Sequence, residues 1–369
     1  MYAWVISCGY LLNKHVVIGR TIIDGRIAYT MLSFCMLAFF MCLRSSSVGT
    51  DTENYAVNIY PFIANCSFVD LADTVEFNKA PVYWLVLWVV GQISDAPQMY
   101  IMATSVIFLL GAAFFIYKTS TNIVASMVLF LGLDIYSMGF NATKQSISMI
   151  VAANAFWLLY KSHRSVKGWC LLLIAIGTHF STGVFIIPVL LMLLSKKVST
   201  KTLVLFSVLS SALVIIGVDV AFQFFIQYVE AYSFYDMANN PFAMNAASSE
   251  YGIGVWFKAA GFIAVWLIYA IKLMRHSKEE KFNLAYAIFP TVIMYAGLSV
   301  IFREYISLSR MILSMQTLMI IFIPAVIQNC PKFSRQILYG IMGIGMILYS
   351  SWGMYLGGHG IFPYSFCDF

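Results

Sequence analysis

The sequence predicts an all-α polytopic membrane protein with about ten transmembrane helices and one re-entrant or broken helix pair. Three observations predict this. Of 369 residues, 61% are hydrophobic and only 10% are charged, against roughly 25% charged in a soluble domain. Apolar runs near the length that carries a helix across a bilayer core recur along the chain. The short alternating segments of a membrane barrel are missing. The net charge of +6 gives no nucleic-acid signal, because the basic residues sit in short loops between apolar runs, where they set topology.

Taken in order, Met1 to Leu12 is apolar but short. It has no preceding basic residue and no cleavage pattern, so it reads as a first helix running to about Gly19, or a shortened start, rather than a signal peptide. Spanning helices are expected at about 27–43, 98–117, 123–140, 142–160, 202–229, 252–274, 282–302, 305–328 and 336–357. No segment outside them is long enough to fold alone, so 1–369 reads as a single integral membrane domain. The seven cysteines show no CxxC spacing, which argues against a zinc or redox centre.

Charge orients the helices. Lys14, Arg20 and Arg26 mark one inside loop; Lys161, Arg164 and Lys167 a second; Lys196, Lys197 and Lys201 a third. Lys272, Arg275, Lys278 and Lys281 mark a fourth, and Lys332 and Arg335 a fifth. The segments 44–97 and 230–251 are poor in basic residues and read as outer loops. Two apolar stretches then do not fit a simple crossing. Residues 168–194 have basic flanks on both sides and are too short to cross twice at 1.5 Å per residue. They read as a re-entrant or broken pair with its tip at Thr178–Gly183, lining a covered, polar space. Parity makes 81–96 a half-buried helix on the outer side.

With this topology the unusual residues converge. Arg44, Asp51 and Tyr55 fall in the first outer loop, and Asn141, Lys144 and Gln145 at an outer helix start. His179 and Ser181 fall at the re-entrant tip, Tyr235 in the later outer loop, and Arg303 and Arg310 around an outer turn. Ionisable side chains in membrane segments are costly and face a polar interior or a partner. Bland readings stand beside the functional ones. Arg303 and Glu304 also suit interfacial anchoring, Lys258 also suits snorkelling, and Asp134 and Asp219 also suit pairing within the bundle. Arg and Lys at a membrane boundary suit a diphosphate head group. Aromatic and amide side chains such as Tyr55, Tyr235 and Asn240 suit a sugar, or an interfacial aromatic belt.

Four stretches carry a family resemblance. Leu43–Tyr55 (LRSSSVGTDTENY) resembles the "R…GTD…Y" segment of EpsG-type exopolysaccharide and O-antigen polymerases, the Wzy-like group. Asn141–Ser148 (NATKQSIS) resembles their "N-x-x-R-Q-x-I-A" helix start. Ile174–Ser181 (IAIGTHFS) resembles their "H-x-S" segment, and Ser309-Arg310-Met311 their late arginine helix. The four run in family order from about residue 27 to 330. Lys144 stands where the family pattern has Arg. An acidic residue commonly precedes the outer half-helix, whereas here Lys79 is nearest Pro81 and Glu76 lies farther off.

The resemblance implies a membrane glycosyltransferase that joins undecaprenyl-diphosphate-linked oligosaccharide repeat units at the outer face of the cytoplasmic membrane. Within that reading His179 is the expected base, with Asp51 as rival. Arg44, Lys144, Arg303 and Arg310 are the expected diphosphate contacts, with Asn141, Gln145, Ser181, Tyr55 and Tyr235 toward the sugar. No cofactor and no metal are expected. The lipid bilayer is a partner and a chain-length regulator stays open as another. The rival classes are a flippase of the same lipid-linked sugars, which more typically shows paired halves, a transferase using another polyprenyl-linked donor, and a structural subunit.

Overall fold

A computed structural model describes residues 1–11, 16–18, 21–209, 212, 253–275, 283–302 and 306–367. Among the described residues the chain is helical apart from one two-stranded hairpin, β1 (Val16–Ile18) against β2 (Thr21–Ile23). The first helix, α1, ends at Leu11 rather than near Gly19; β-branched residues follow it and favour the hairpin. Among the described residues five helices are long and apolar enough to cross a membrane, or seven spans if each of two bent pairs counts as one. That is fewer than the ten expected. The expected helix 202–229 and the loop 230–251 lie largely outside the described residues. The expected helix 142–160 is α10 (Thr143–Lys161), about 28 Å long. It buries Gln145, Ser146, Ser148 and Asn154, so it is a core helix wrapped in protein rather than lipid.

The chain forms two compact units, one of Met1–Gly183 with Ile327–Phe369 and one of Val184–Val326. In the first, α2 (Gly25–Cys42) and α7 (Pro97–Thr119) are antiparallel. Arg26 Nη2 donates to Tyr117 O (3.2 Å) and Ser120 O (3.0 Å) at one end; Gln98 Nε2 donates to Cys42 O at the other. α10 runs parallel to α7: Tyr100 meets Thr143 near the start of each, and Asn154 Nδ2 donates to Gly111 O (3.1 Å) farther along. α11 (Val166–Thr178) turns back along α10, Gly168 lying against Leu159. Arg26, Lys118, Lys161 and Arg164 therefore share one end of this unit, and Arg44, Asn141 and Lys144 lie toward the other.

The expected helix 123–140 is broken into α8 (Ile123–Gly132) and α9 (Ile135–Asn141), bent by 46°. Asp134 sits at the break in the left-handed region, φ +60°, a conformation that Asp tolerates better than most residues. Nearly every residue of both segments is buried, so protein covers the irregular backbone. Between α2 and α7 the loop folds as a wide π-type turn (Asn54–Ile59), three one- to two-turn helices α3 (Tyr60–Asn65), α4 (Phe68–Asp73) and α5 (Val75–Lys79), and the half-length α6 (Pro81–Gly91). At 11 residues α6 is about 16 Å long, half a bilayer core. The break expected near His179 is also present. α11 stops at Thr178, His179 is extended (φ −158°, ψ 111°), and a 3-10 turn occupies Phe180–Phe185. The helix Lys332–Tyr355 lies against α8, with Gly132 at Met346, and the chain then returns through Gly358–Cys367.

In the second unit α12 (Ile186–Ser195) packs on the helix Leu284–Ile301, which also packs on Ile253–Arg275. Trp266 stacks on Phe289 with ring centroids 4.9 Å apart. The expected helix 305–328 is instead two, Ser309–Gln316 and Met319–Gln328, bent by 41° at Thr317–Leu318.

Candidate functional site

The site grows from the second chain break of the first unit. α9 ends at Asn141, Ala142 leaves helical geometry (φ −85°, ψ 61°), and α10 starts at Thr143 with no capping side chain. A helix end leaves carbonyls, and a helix start leaves N–H groups, without intrahelical partners. The carbonyl of Phe140 is taken by Thr52 Oγ1 (2.7 Å) and Arg44 Nη2 (3.4 Å). Asn141 Oδ1 accepts the backbone N–H of Asp51 (2.9 Å). Gly49 has φ +102°, and a Cβ there would fall 2.1 Å from Phe140 O, so only glycine fits. The two motifs "R…GTD" and "N-x-x-K-Q" are thus halves of one junction: the first wraps the helix break that the second creates.

Arg44 is fully buried. Its guanidinium donates to Met41 O (2.9 Å), Ser105 Oγ (3.4 Å) and Phe140 O, and lies 4.9 Å from the centre of the Phe140 ring. Burial pulls its pKa down to about 10, which leaves it charged at neutral pH. Closed off from solvent, it ties α2, α7 and α9 together.

Lys144 is the cation that remains accessible at the junction. Its Nζ lies 3.1 Å from Glu76 Oε2, 4.3 Å from the centre of the Tyr55 ring and 5.4 Å from that of Trp84. Beside it Thr143 Oγ1 closes a triangle of hydroxyls with Tyr83 and Tyr100, at 2.7 to 2.9 Å, which fixes α6 and α7 to the first residue of α10. Gln145 is buried in the same turn. The carboxylate of Asp51 accepts no hydrogen bond among the described residues.

The tip 178–183 is pinned one turn along α10. Ser148 Oγ and Thr182 Oγ1 are 2.6 Å apart, and Ser148 is four residues from Lys144, on the same helix face. Gly177 packs closely on Val82 of α6. His179 is partly exposed at the end of α11, and Ser181 is buried. The structure therefore gathers Asp51, Tyr55, Asn141 and Lys144 at one junction and holds the His179 tip about 6 Å farther along α10. Arg310 is exposed on its helix in the second unit. Arg303 and Tyr235 lie outside the described residues. Cys66 and Cys367 are both free.

Sequence reasoning missed Glu76, Trp84 and Thr52. Thr52 lies inside the GTD motif and Glu76 is the acidic residue ahead of the half-helix; both signals were in view. Trp84 gives no signal apart from being one of several aromatics on an apolar helix. Among the described residues no three His, Cys, Asp or Glu side chains gather closely enough to hold a metal ion. The chain matches the model of the EpsG family over residues 27–366, while no curated protein and no solved structure matches it.

Proposed function

The chain belongs to the EpsG family, and from that premise we propose that it is a polysaccharide polymerase joining undecaprenyl-diphosphate-linked repeat units. Its apolar helices make it a multi-pass membrane protein, and the family is associated with exopolysaccharide polymerisation. The observation that carries the finer reading is Lys144. It is held at the start of a 19-residue helix that has no capping side chain, one turn from a histidine-bearing tip. Such a start favours anions twice over, through the N–H groups of its first turn and through the helix dipole.

The reaction needs little more. The acceptor hydroxyl oxygen bonds to the anomeric carbon of the donor, and the bond from that carbon to the diphosphate oxygen breaks. The electron pair leaves with the diphosphate and the hydroxyl proton passes to a base. Lys144 and the first N–H groups of α10 meet the charge that develops on the leaving group, where preorganised donors count most. His179 takes the proton as general base, and Asp51 is the second candidate. Tyr55 offers a ring face and Asn141 an amide beside the sugar. The family resemblance alone assigns Arg310 and Arg303 to anion binding. The positive-inside rule supports an orientation with the basic end of the first unit in the cytoplasm and the Lys144 end outside.

The test is a ladder gel. Purified protein in lipid receives lipid-diphosphate-linked repeat units, wild type beside Lys144→Gln, His179→Ala and Arg310→Ala. Wild type gives a ladder, and each variant loses it. No ladder from folded wild type on authentic substrate would overturn the polymerase reading. A ladder that survives all three substitutions would cancel the residue roles.

A further inference from the structure

We infer that Glu76 is a built-in competitor for the anion site at Lys144, a carboxylate that holds the lysine until a diphosphate displaces it. The inference rests on the reading of Lys144 as a diphosphate contact, and its test separates the two.

The geometry divides the lysine's surroundings into a fixed side and a movable side. On the fixed side stand Tyr55, at 4.3 Å from the ammonium, and Trp84, at 5.4 Å and fully buried. The rings stabilise the cation and keep it in place. On the movable side stands Glu76, which meets Lys144 through one oxygen at 3.1 Å. Its side chain makes no other hydrogen bond or ion pair among the described residues. It rides on α5, a five-residue helix with no buried side chain. Thr74 caps that helix, its Oγ1 accepting from Phe77 N (3.1 Å), and Ala80, buried and non-helical at φ −153°, ψ 64°, closes it before Pro81. α5 can therefore tilt about Thr74 and Ala80 without uncovering core. The Lys144 and Glu76 side chains are 15% and 28% exposed, so the pair is open to exchange with an anion from solvent rather than locked inside.

A competitor of one charge sets a threshold. The membrane surface is crowded with phosphodiester head groups, each with a single negative charge. An unguarded lysine at a helix start would collect them. Glu76 carries the same single charge and is tethered at the site, so a phosphodiester gains little by replacing it. A diphosphate carries more charge and more oxygens, and its attraction to Lys144 grows in proportion. Glu76 thus makes the site selective for diphosphates over the ordinary lipid phosphates around it.

The test is calorimetric titration of the full chain in micelles of a phosphate-free detergent with inorganic pyrophosphate and, separately, with dimethyl phosphate. Wild type, Glu76→Gln and Lys144→Gln are compared. Glu76→Gln is expected to bind pyrophosphate about tenfold tighter than wild type, within the usual range of coupling between two sites. It is also expected to bind dimethyl phosphate where wild type does not, and Lys144→Gln is expected to bind neither. If Glu76→Gln does not assemble as a monodisperse protein, Glu76→Asp, which withdraws the carboxylate by one methylene, carries the same prediction with a smaller ratio. Equal or weaker pyrophosphate binding by the Glu76 variant, with Lys144→Gln still null, overturns the competitor and leaves the diphosphate reading standing. Absence of pyrophosphate binding in wild type and Glu76→Gln alike overturns both.

Discussion

Gly49 and Lys144 show how much of the site rests on single side chains. Gly49 is left-handed and its missing Cβ lets the chain touch Phe140 O. Gly49→Ala adds backbone strain of about 1–3 kcal/mol to a direct clash. The purified variant is expected to unfold at a clearly lower temperature than its parent; an unchanged midpoint would sink the close-contact account. Lys144 is a point charge where the family pattern has a fork. Lys144→Arg restores bidentate geometry toward phosphate and is expected to keep the polymerisation rate within about tenfold. Lys144→Gln is expected to lower it by about 10² to 10³, the size of losing one transition-state donor. Initial rates on the ladder gel separate the two. Equal rates in both variants would remove Lys144 from the reaction.

At the scale of elements, the helix break between α9 and α10 is the organising feature. A break in a membrane protein exposes backbone groups that lipid cannot satisfy, and here the Leu43–Tyr55 loop supplies the partners. Thr52→Val removes one of two donors to Phe140 O and is expected to cost roughly 1 kcal/mol, with Thr52→Ser near neutral, read by thermal unfolding. The loop is itself held by the returning chain. Ser45 N donates to Ser365 O, Cys367 N to Leu43 O and Gly49 N to Gly360 O, each at 2.9 Å, and Tyr364 Oη donates to Phe40 O (2.6 Å). A chain ending at Gly357 loses this strap while keeping every described α-helix. It is expected to insert in the membrane, to lose polymerisation, and to become cleavable by trypsin at Arg44, which is fully buried in the intact protein. Continued resistance at Arg44 would show that the strap does not hold the loop.

For the whole molecule, the ends of the first unit differ in charge. Arg26, Lys118, Lys161 and Arg164 lie at one end, and the Lys144–Glu76 junction lies toward the other. With the native cysteines replaced, a cysteine at Ser47 is expected to react with a membrane-impermeant maleimide on intact cells. One at Lys161 is expected to react only after lysis. The reverse pattern would put the junction in the cytoplasm and end the case for a polymerase acting outside. The helix Lys332–Tyr355 presents Phe333, Ile337, Ile341, Ile344, Leu348 and Trp352 to the surroundings. An apolar stripe of that kind suits a helix bathed in lipid.

The sequence by itself determined the class, the approximate helix positions, the half-helix at 81–96 and the interruption at His179. These follow from hydrophobic run length and from which loops carry charge, which are properties of local composition. It also carried the family, through four motifs in order. It did not reveal the breaks at Asp134 and Thr317, because each lies inside a run that is long and apolar enough to read as one span. Nor did it separate Arg44 from Lys144. Both are cations beside an outer helix end, yet one is sealed against carbonyls and the other is open beside an acid and two rings. Which cation can meet a ligand depends on what covers it, and cover comes from segments as distant as 44–52, 76–84 and 360–367, brought together only when the chain folds.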